Sequence, residues 1–190
     1  VDEPSGATIL ERVASLRSQD DALRGFLNFE PRGNPMMCSV LLLPPQHPAA
    51  DLAAVIIEQD EYVPMCGHCI IGAATTAVYS GLVPRTGDTT VVRFETVAGI
   101  VACAVDTRDG SLGAVTLQNV DSFLLHKDHP VTLANRGEVA VDIAFGGDFY
   151  AIVSADALGL DLVPSAEPRL AQAAHEIIDA VNDQVEVRHP

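Results

Sequence analysis

Tryptophan is absent, and phenylalanine and tyrosine bring the aromatic share to only 5% of the 190 residues. Stacking platforms for bases or sugar rings are therefore not expected, and the core has to be assembled from Val, Ile, Leu and Ala. Positive charge is equally scarce: 11 Lys plus Arg stand against 26 Asp plus Glu, a formal net charge of -15. Nucleic-acid affinity rests on cationic side chains neutralising phosphates, and anionic membrane surfaces draw basic patches. Neither nucleic acid nor membrane is expected as a partner. Lysine occurs once, as Lys127. A pyridoxal phosphate enzyme needs a Schiff-base lysine, and Lys127 lies in Leu125-His126-Lys127-Asp128-His129, which reads as a solvated loop. No cofactor is expected.

No apolar run approaches the ~20 residues of a membrane-spanning helix. The opening Val1-Asp2-Glu3-Pro4-Ser5-Gly6 lacks both the basic and the apolar segments of a secretory signal. A cytoplasmic location is the resulting expectation. Cysteine is limited to Cys38, Cys66, Cys69 and Cys103. These are too few and too irregularly spaced for a disulfide scaffold, and reduced thiols fit that compartment. The start at Val1, without an initiator methionine, suggests a piece of a longer chain. What the chain has in quantity is apolar residue, 48% with mean hydropathy +0.23, ample for a core.

Local patterns predict a strand-rich α+β fold. Thr8-Ile9-Leu10-Glu11 reads as a capping box ahead of one or two amphipathic helices over 9–28, stopped by Pro31-Arg32-Gly33. Strands are expected over 37–43, 53–58, 89–96, 99–106, 113–120, 139–145 and 149–154, with turn signals at 107–110 and 146–148. A further amphipathic helix over 168–183 places Leu170, Ala174, Ile177, Ile178 and Val181 on one face. No internal repeat, low-complexity segment or linker is evident.

The segment Met65-Cys66-Gly67-His68-Cys69-Ile70-Ile71-Gly72-Ala73-Ala74-Thr75-Thr76-Ala77-Val78-Tyr79-Ser80-Gly81 is the informative one. From Ile70 onward it is helical in composition, uncharged on every face, and closed by Gly81 in a C-capping position with Pro84 soon after. A helix without a charged face predicts burial all round, with strands wrapped about it. Cys66-Gly67-His68 then stands at the N-terminus, where unpaired amides and the helix dipole favour an anion. A carboxylate could rest on those amides, and the thiol is placed to act as base or nucleophile. Gly67 lets backbone approach a ligand, and His68 is a donor beside the thiol.

Other chemistries compete for the same residues. Cys66-Gly67-His68-Cys69 also spells a helix-heading redox dithiol, which makes a thiol-disulfide oxidoreductase an alternative of another class. A thioredoxin-type domain alternates strands and helices, however, whereas strands follow this helix in series. No metal is expected, since a zinc site would need a second Cys pair and the six histidines are scattered. Cys38 and Cys103, each within a strand-like run, read as inert packing. Asp142 and Asp148 read as strand-end and turn residues, Tyr62 and Phe149 as core, and His126, His129, His175 and His189 as solvated.

Met65-Cys66-Gly67-His68 with the small-residue helix and Ser80-Gly81-Leu82-Val83 resembles the proline racemase family, which includes hydroxyproline epimerases and trans-3-hydroxyproline dehydratases. Glu30-Pro31-Arg32-Gly33, Asn119-Val120-Asp121-Ser122-Phe123 and Val141-Asp142-Ile143-Ala144-Phe145-Gly146-Gly147-Asp148-Phe149-Tyr150 are similar to further family blocks, in order, so the resemblance covers nearly the whole chain. It implies a diaminopimelate-epimerase-like half, strands curled round a central buried helix at about 66–80. It also implies a cofactor-independent racemase or epimerase of proline or hydroxyproline, working through two thiols that face opposite sides of the α-carbon. On that resemblance Cys66 is the first catalytic cysteine, Gly67 and His68 hold the substrate carboxylate, and Cys69 lies near the substrate. The family's second motif, an Asp-Arg-Ser-Pro-Cys-Gly-Thr-Gly-like run, is absent. The expectation is therefore that 1–190 form the N-terminal domain of a two-domain enzyme, inactive alone unless two chains assemble as a homodimer. Dehydratase chemistry is the alternative within the family.

Overall fold

In a computed structural model that describes residues 3–189, the chain gathers into two units, divided between Asp121 and Ser122. The sequence reading carries a single domain across this point, which lies inside Asn119-Val120-Asp121-Ser122-Phe123, a segment with no linker composition.

Helix α1 (Ile9–Gln19) opens the first unit, and its capping box is formed as expected: the Glu11 amide donates to Thr8 Oγ1 and the Thr8 amide to Glu11 Oε2, both at 3.2 Å. Helix α2 (Ala22–Asn28) ends on a fully buried Asn28, whose Nδ2 donates to the carbonyls of Ile57 at 2.9 Å and Glu58 at 3.1 Å. Strands β1 (Ser39–Leu43) and β2 (Leu52–Ile57) form an antiparallel pair with Leu41 opposite Val55, and β3 (Tyr62–Val63) adds to the end of β2. Helix α3 (Gly67–Tyr79) then crosses over, so that β4 (Thr89–Thr96) returns parallel to β2. Strands β5 (Gly99–Asp106) and β6 (Val115–Gln118) continue antiparallel, giving the order β1-β2-β4-β5-β6. Strand β5 turns to β6 through a short 3₁₀ segment, Arg108–Gly110, at the turn signal read from the sequence.

Both faces of this sheet are covered at β2, whereas β4 alternates buried and exposed residues. Ala54, Ile56, Val92, Phe94 and Val101 pack with α3, while Ala53, Val55 and Ile57 pack with Ile9, Val13 and Leu16 of α1. Burial on both sides explains why β2 reads as an unbroken apolar run rather than an alternation.

Helix α3 departs from the expectation of burial all round. One stripe is buried, comprising Cys69, Ile70, Ala73, Ala74, Ala77 and Val78. The opposite face is open, with Ile71 39% exposed and Tyr79 79% exposed. Much of that open face is Gly72, Thr75 and Thr76. Residues so small have little apolar surface to hide, so the lack of charge did not distinguish a buried face from an open one. The C-terminus follows the sequence: Gly81 takes φ 77°, and the Ser80 amide bonds the Thr76 carbonyl at 2.9 Å.

The second unit is an antiparallel sheet, β7 (Phe123–Leu133), β8 (Gly137–Phe145) and β9 (Phe149–Ile152), with α4 (Glu167–Gln184) on one face. Val131, Leu133, Val139, Val141 and Ile143 meet Ile177 and Val181 of the helix. The buried line of α4 is Ala173, Ile177 and Val181, whereas Ala174 and Ile178, assigned to that face from the sequence, are exposed. The stretch around Lys127, read as a loop, lies within β7. Register shifts between Leu124 and His126 and between His126 and His129, with Asp128 at φ 48°, make it a bulged strand. Its polar residues and Pro130 are tolerated because β7 is the edge of its sheet.

Candidate active site

The approach to α3 is fixed before the helix begins. The Ala98 amide donates to the Pro64 carbonyl at 3.3 Å, and Met65, 5% exposed, packs in the core beneath the helix. Cys66 follows in extended backbone, φ -141° and ψ 114°, as the N-cap, and its carbonyl accepts the Ile70 amide at 3.0 Å. Its side chain makes no capping bond, so the sulfur is left half-buried at the helix tip. The amides of Gly67, His68 and Cys69 belong to the first turn, where no intrahelical carbonyl is in reach. With the helix dipole behind them they form the anion-favouring end expected from the sequence.

Gly67 has a packing role. A Cβ at this position would stand 3.3 Å from Leu117 Cδ2, so β6 closes on the helix start where a side chain would intrude. His68 is exposed, and with Cys38, Val40, Cys69, Gly72 and Thr76 it lines a cavity of about 340 Å³ between β1 and the open face of α3.

Cys69 points the other way from solvent. It is 5% exposed, and its thiol donates to Cys38 Sγ at 3.2 Å. Burial first, then the neighbouring thiols of Cys38 and Cys66, hold its proton on well above the ordinary cysteine range. Cys38 also packs against the core beneath α3, though from outside any strand. It precedes β1, is half-buried, and reaches the first turn of α3. No local signal marked it, because only the pairing of β1 with β2 carries it to the helix. Cys103 does behave as packing: it is fully buried on β5, with its proton-loss point pushed up to about 11 by burial.

The remaining candidates lie elsewhere. Asp142 accepts the Asp128 amide at 2.7 Å, and Asp148 accepts the Phe149 amide at 2.8 Å, strand and turn roles as read from the sequence. Tyr62 is buried against α1, and Phe149 joins Phe123, Phe145 and His189 in a ring cluster. His126 and His129 are half-buried on β7, their ring centres 5.1 Å apart. Among the described residues no three His, Cys, Asp or Glu are arranged to hold a metal ion, and no helix is long and apolar enough to cross a membrane.

Comparison with known proteins places this arrangement. A 4-hydroxyproline 2-epimerase of Streptosporangium roseum is 39% identical over 185 residues, covering 97% of this chain and 56% of its own. A trans-3-hydroxy-L-proline dehydratase of Colwellia psychrerythraea is 37% identical over 185 residues, covering 97% and 52%. The crystal structure of a hydroxyproline epimerase from Agrobacterium vitis, with bound trans-4-hydroxy-L-proline, superposes with a TM-score of 0.91 at 34% identity. It covers all of this chain and 56% of its own. The chain spans about half the length of the curated relatives it matches. The proline racemase family model matches residues 1–190 from end to end, and the chain belongs to that family.

Proposed function

We propose that the protein carrying this chain is a cofactor-independent isomerase that inverts the α-carbon of proline or hydroxyproline, with Cys66 as one of its two acid/base groups. The observation that carries the reading is the half-buried Cys66 sulfur at the head of α3, free of any capping bond and beside the first-turn amides. A substrate carboxylate seated on the amides of Gly67 and His68, together with the positively charged ring nitrogen, would lower the cost of developing negative charge at the α-carbon. Cys66 as thiolate removes the α-proton from one face, or as thiol returns one to it.

Inversion needs a second group on the opposite face. Among the described residues, Cys38 and Cys69 are directed at each other and Cys103 is buried in the sheet, so none is placed for that task. The second group therefore comes from elsewhere in the whole protein. The 190 residues alone are expected to exchange the α-hydrogen at best, without inversion. A reducing, cytoplasmic setting suits a site that depends on free thiols. The oxidoreductase reading is weakened by Cys69, whose thiol is buried and turned toward Cys38.

The test is incubation of the whole protein with L-proline and the hydroxyproline isomers in deuterated water. Product of inverted configuration carrying α-deuterium is expected, and no incorporation with any of them refutes the proposal. The dehydratase relative supports a second reading, in which Cys66 takes the α-proton and water leaves from C3. Loss of one water from trans-3-hydroxy-L-proline, without inverted product, would select it.

A further inference from the structure

We propose that Cys38 and Cys69 form a reversible disulfide, a redox modification site beside the head of α3 and separate from the proton-transfer chemistry of Cys66. Their sulfurs lie 3.2 Å apart, and a disulfide bond is about 2.05 Å long, so closure requires an approach of about 1.1 Å. The segment leading into Cys38 has room to supply that movement, since Met36 is 90% and Met37 38% exposed. Sheet and helix hold the partner, because Cys69 is in the first turn of α3 and part of the core.

The two thiols are unequal in a way that suits sequential oxidation. Cys38 is half-buried and borders two cavities, of about 340 and 390 Å³, through which a small oxidant can reach it. Cys69 is 5% exposed and already directs its S–H at Cys38. Burial keeps the oxidant from Cys69, so Cys38 reacts with it first and Cys69 acts as the resolving partner. With hydrogen peroxide as oxidant, the Cys38 sulfur attacks one peroxide oxygen, the O–O bond breaks, and hydroxide takes up the thiol proton to leave as water. Cys38 is then a sulfenic acid. The Cys69 sulfur attacks the Cys38 sulfur, the S–O bond breaks, and the departing hydroxide carries off the Cys69 proton as a second water. Two thiols lose two electrons, and one peroxide becomes two waters. A dithiol reductant returns the electrons and protons.

The experiment treats the intact protein with hydrogen peroxide, alkylates the remaining thiols, and maps unreduced peptides by mass spectrometry. A Cys38–Cys69 linked peptide that disappears on adding dithiothreitol is expected, with Cys66 recovered alkylated. The same link should form in Cys66→Ser and be lost in both Cys38→Ser and Cys69→Ser. A Cys66–Cys69 link, an unlinked Cys38 sulfinic acid, or full alkylation of Cys38 and Cys69 would each overturn the proposal. The readout is a covalent mass, so it is independent of whether the protein inverts an amino acid.

Discussion

Ile70 and Ile71 are adjacent, chemically identical and on the same helix, yet one is fully buried and the other 39% exposed. Replacing each by Ala is therefore a controlled measurement of which face of α3 the sheet holds. Each change removes three carbons, about 2.4 kcal/mol of transfer free energy at ~0.8 per carbon if fully buried. At Ile70 the cavity left between α3 and the sheet raises the expected loss to about 3 kcal/mol, within the ~2–5 range for such truncations. At Ile71 about three fifths of the surface is buried and little cavity forms, so roughly 1.5 kcal/mol is expected before a few tenths are regained from the better helix propensity of Ala. That regain is common to both positions and cancels, so the pair should differ by about 1.5 kcal/mol, or on the order of 1 M in the urea midpoint of the first unit, with unchanged slope. Equal losses at both positions would refute the one-sided packing of α3 and restore a helix buried all round.

Three further outcomes follow from the same structure. Asn28→Ala removes the donor to the last carbonyl of β2, that of Ile57, and to the next one, that of Glu58, and the acceptor of the Ser39 hydroxyl at 2.6 Å; stability should fall by about 2–4 kcal/mol in the same urea assay. Cys103 keeps its proton to about 11 when folded against an ordinary value of 9.0. Its contribution is therefore intact below about pH 9 and lost as pH rises through 11, and Cys103→Ala should flatten that part of a stability–pH curve. The Arg108 guanidinium, through side-chain hydrogen bonds first, lowers Asp106 from 3.8 to about 2. Its small, solvent-screened contribution is present above pH ~3.8 and lost as pH falls through 2. A carboxyl NMR titration should show the low midpoint and its return in Arg108→Ala.

Much of the fold could be read from sequence where one physical signal dominated. Strands β4 and β5 span Thr89–Thr96 and Gly99–Asp106, the bounds expected from their apolar runs. The Thr8 cap and the Gly81 terminus follow from local hydrogen bonding and backbone preference alone. Strand β7 escaped because a bulged edge strand can carry His, Lys, Asp and Pro in succession without burying any of them fully. The exposed face of α3 escaped because Gly and Thr look alike whether covered or open. Within the candidate site, Cys66 was marked by its place at a helix start, a local feature. Cys38 comes to the same helix only through the register of β1 on β2, a tertiary fact with no trace in the residues around it.

The proposed role of Cys66 is to move the α-proton. The most direct test of that role is the rate at which the whole protein, wild type against Cys66→Ser, forms inverted product carrying α-deuterium from proline and hydroxyproline in deuterated water. A positioned acid/base group supplies on the order of 10²–10⁴ in rate, so the substitution should slow inversion at least about 100-fold while the fold persists. Inverted product from Cys66→Ser at the wild-type rate would contradict that role.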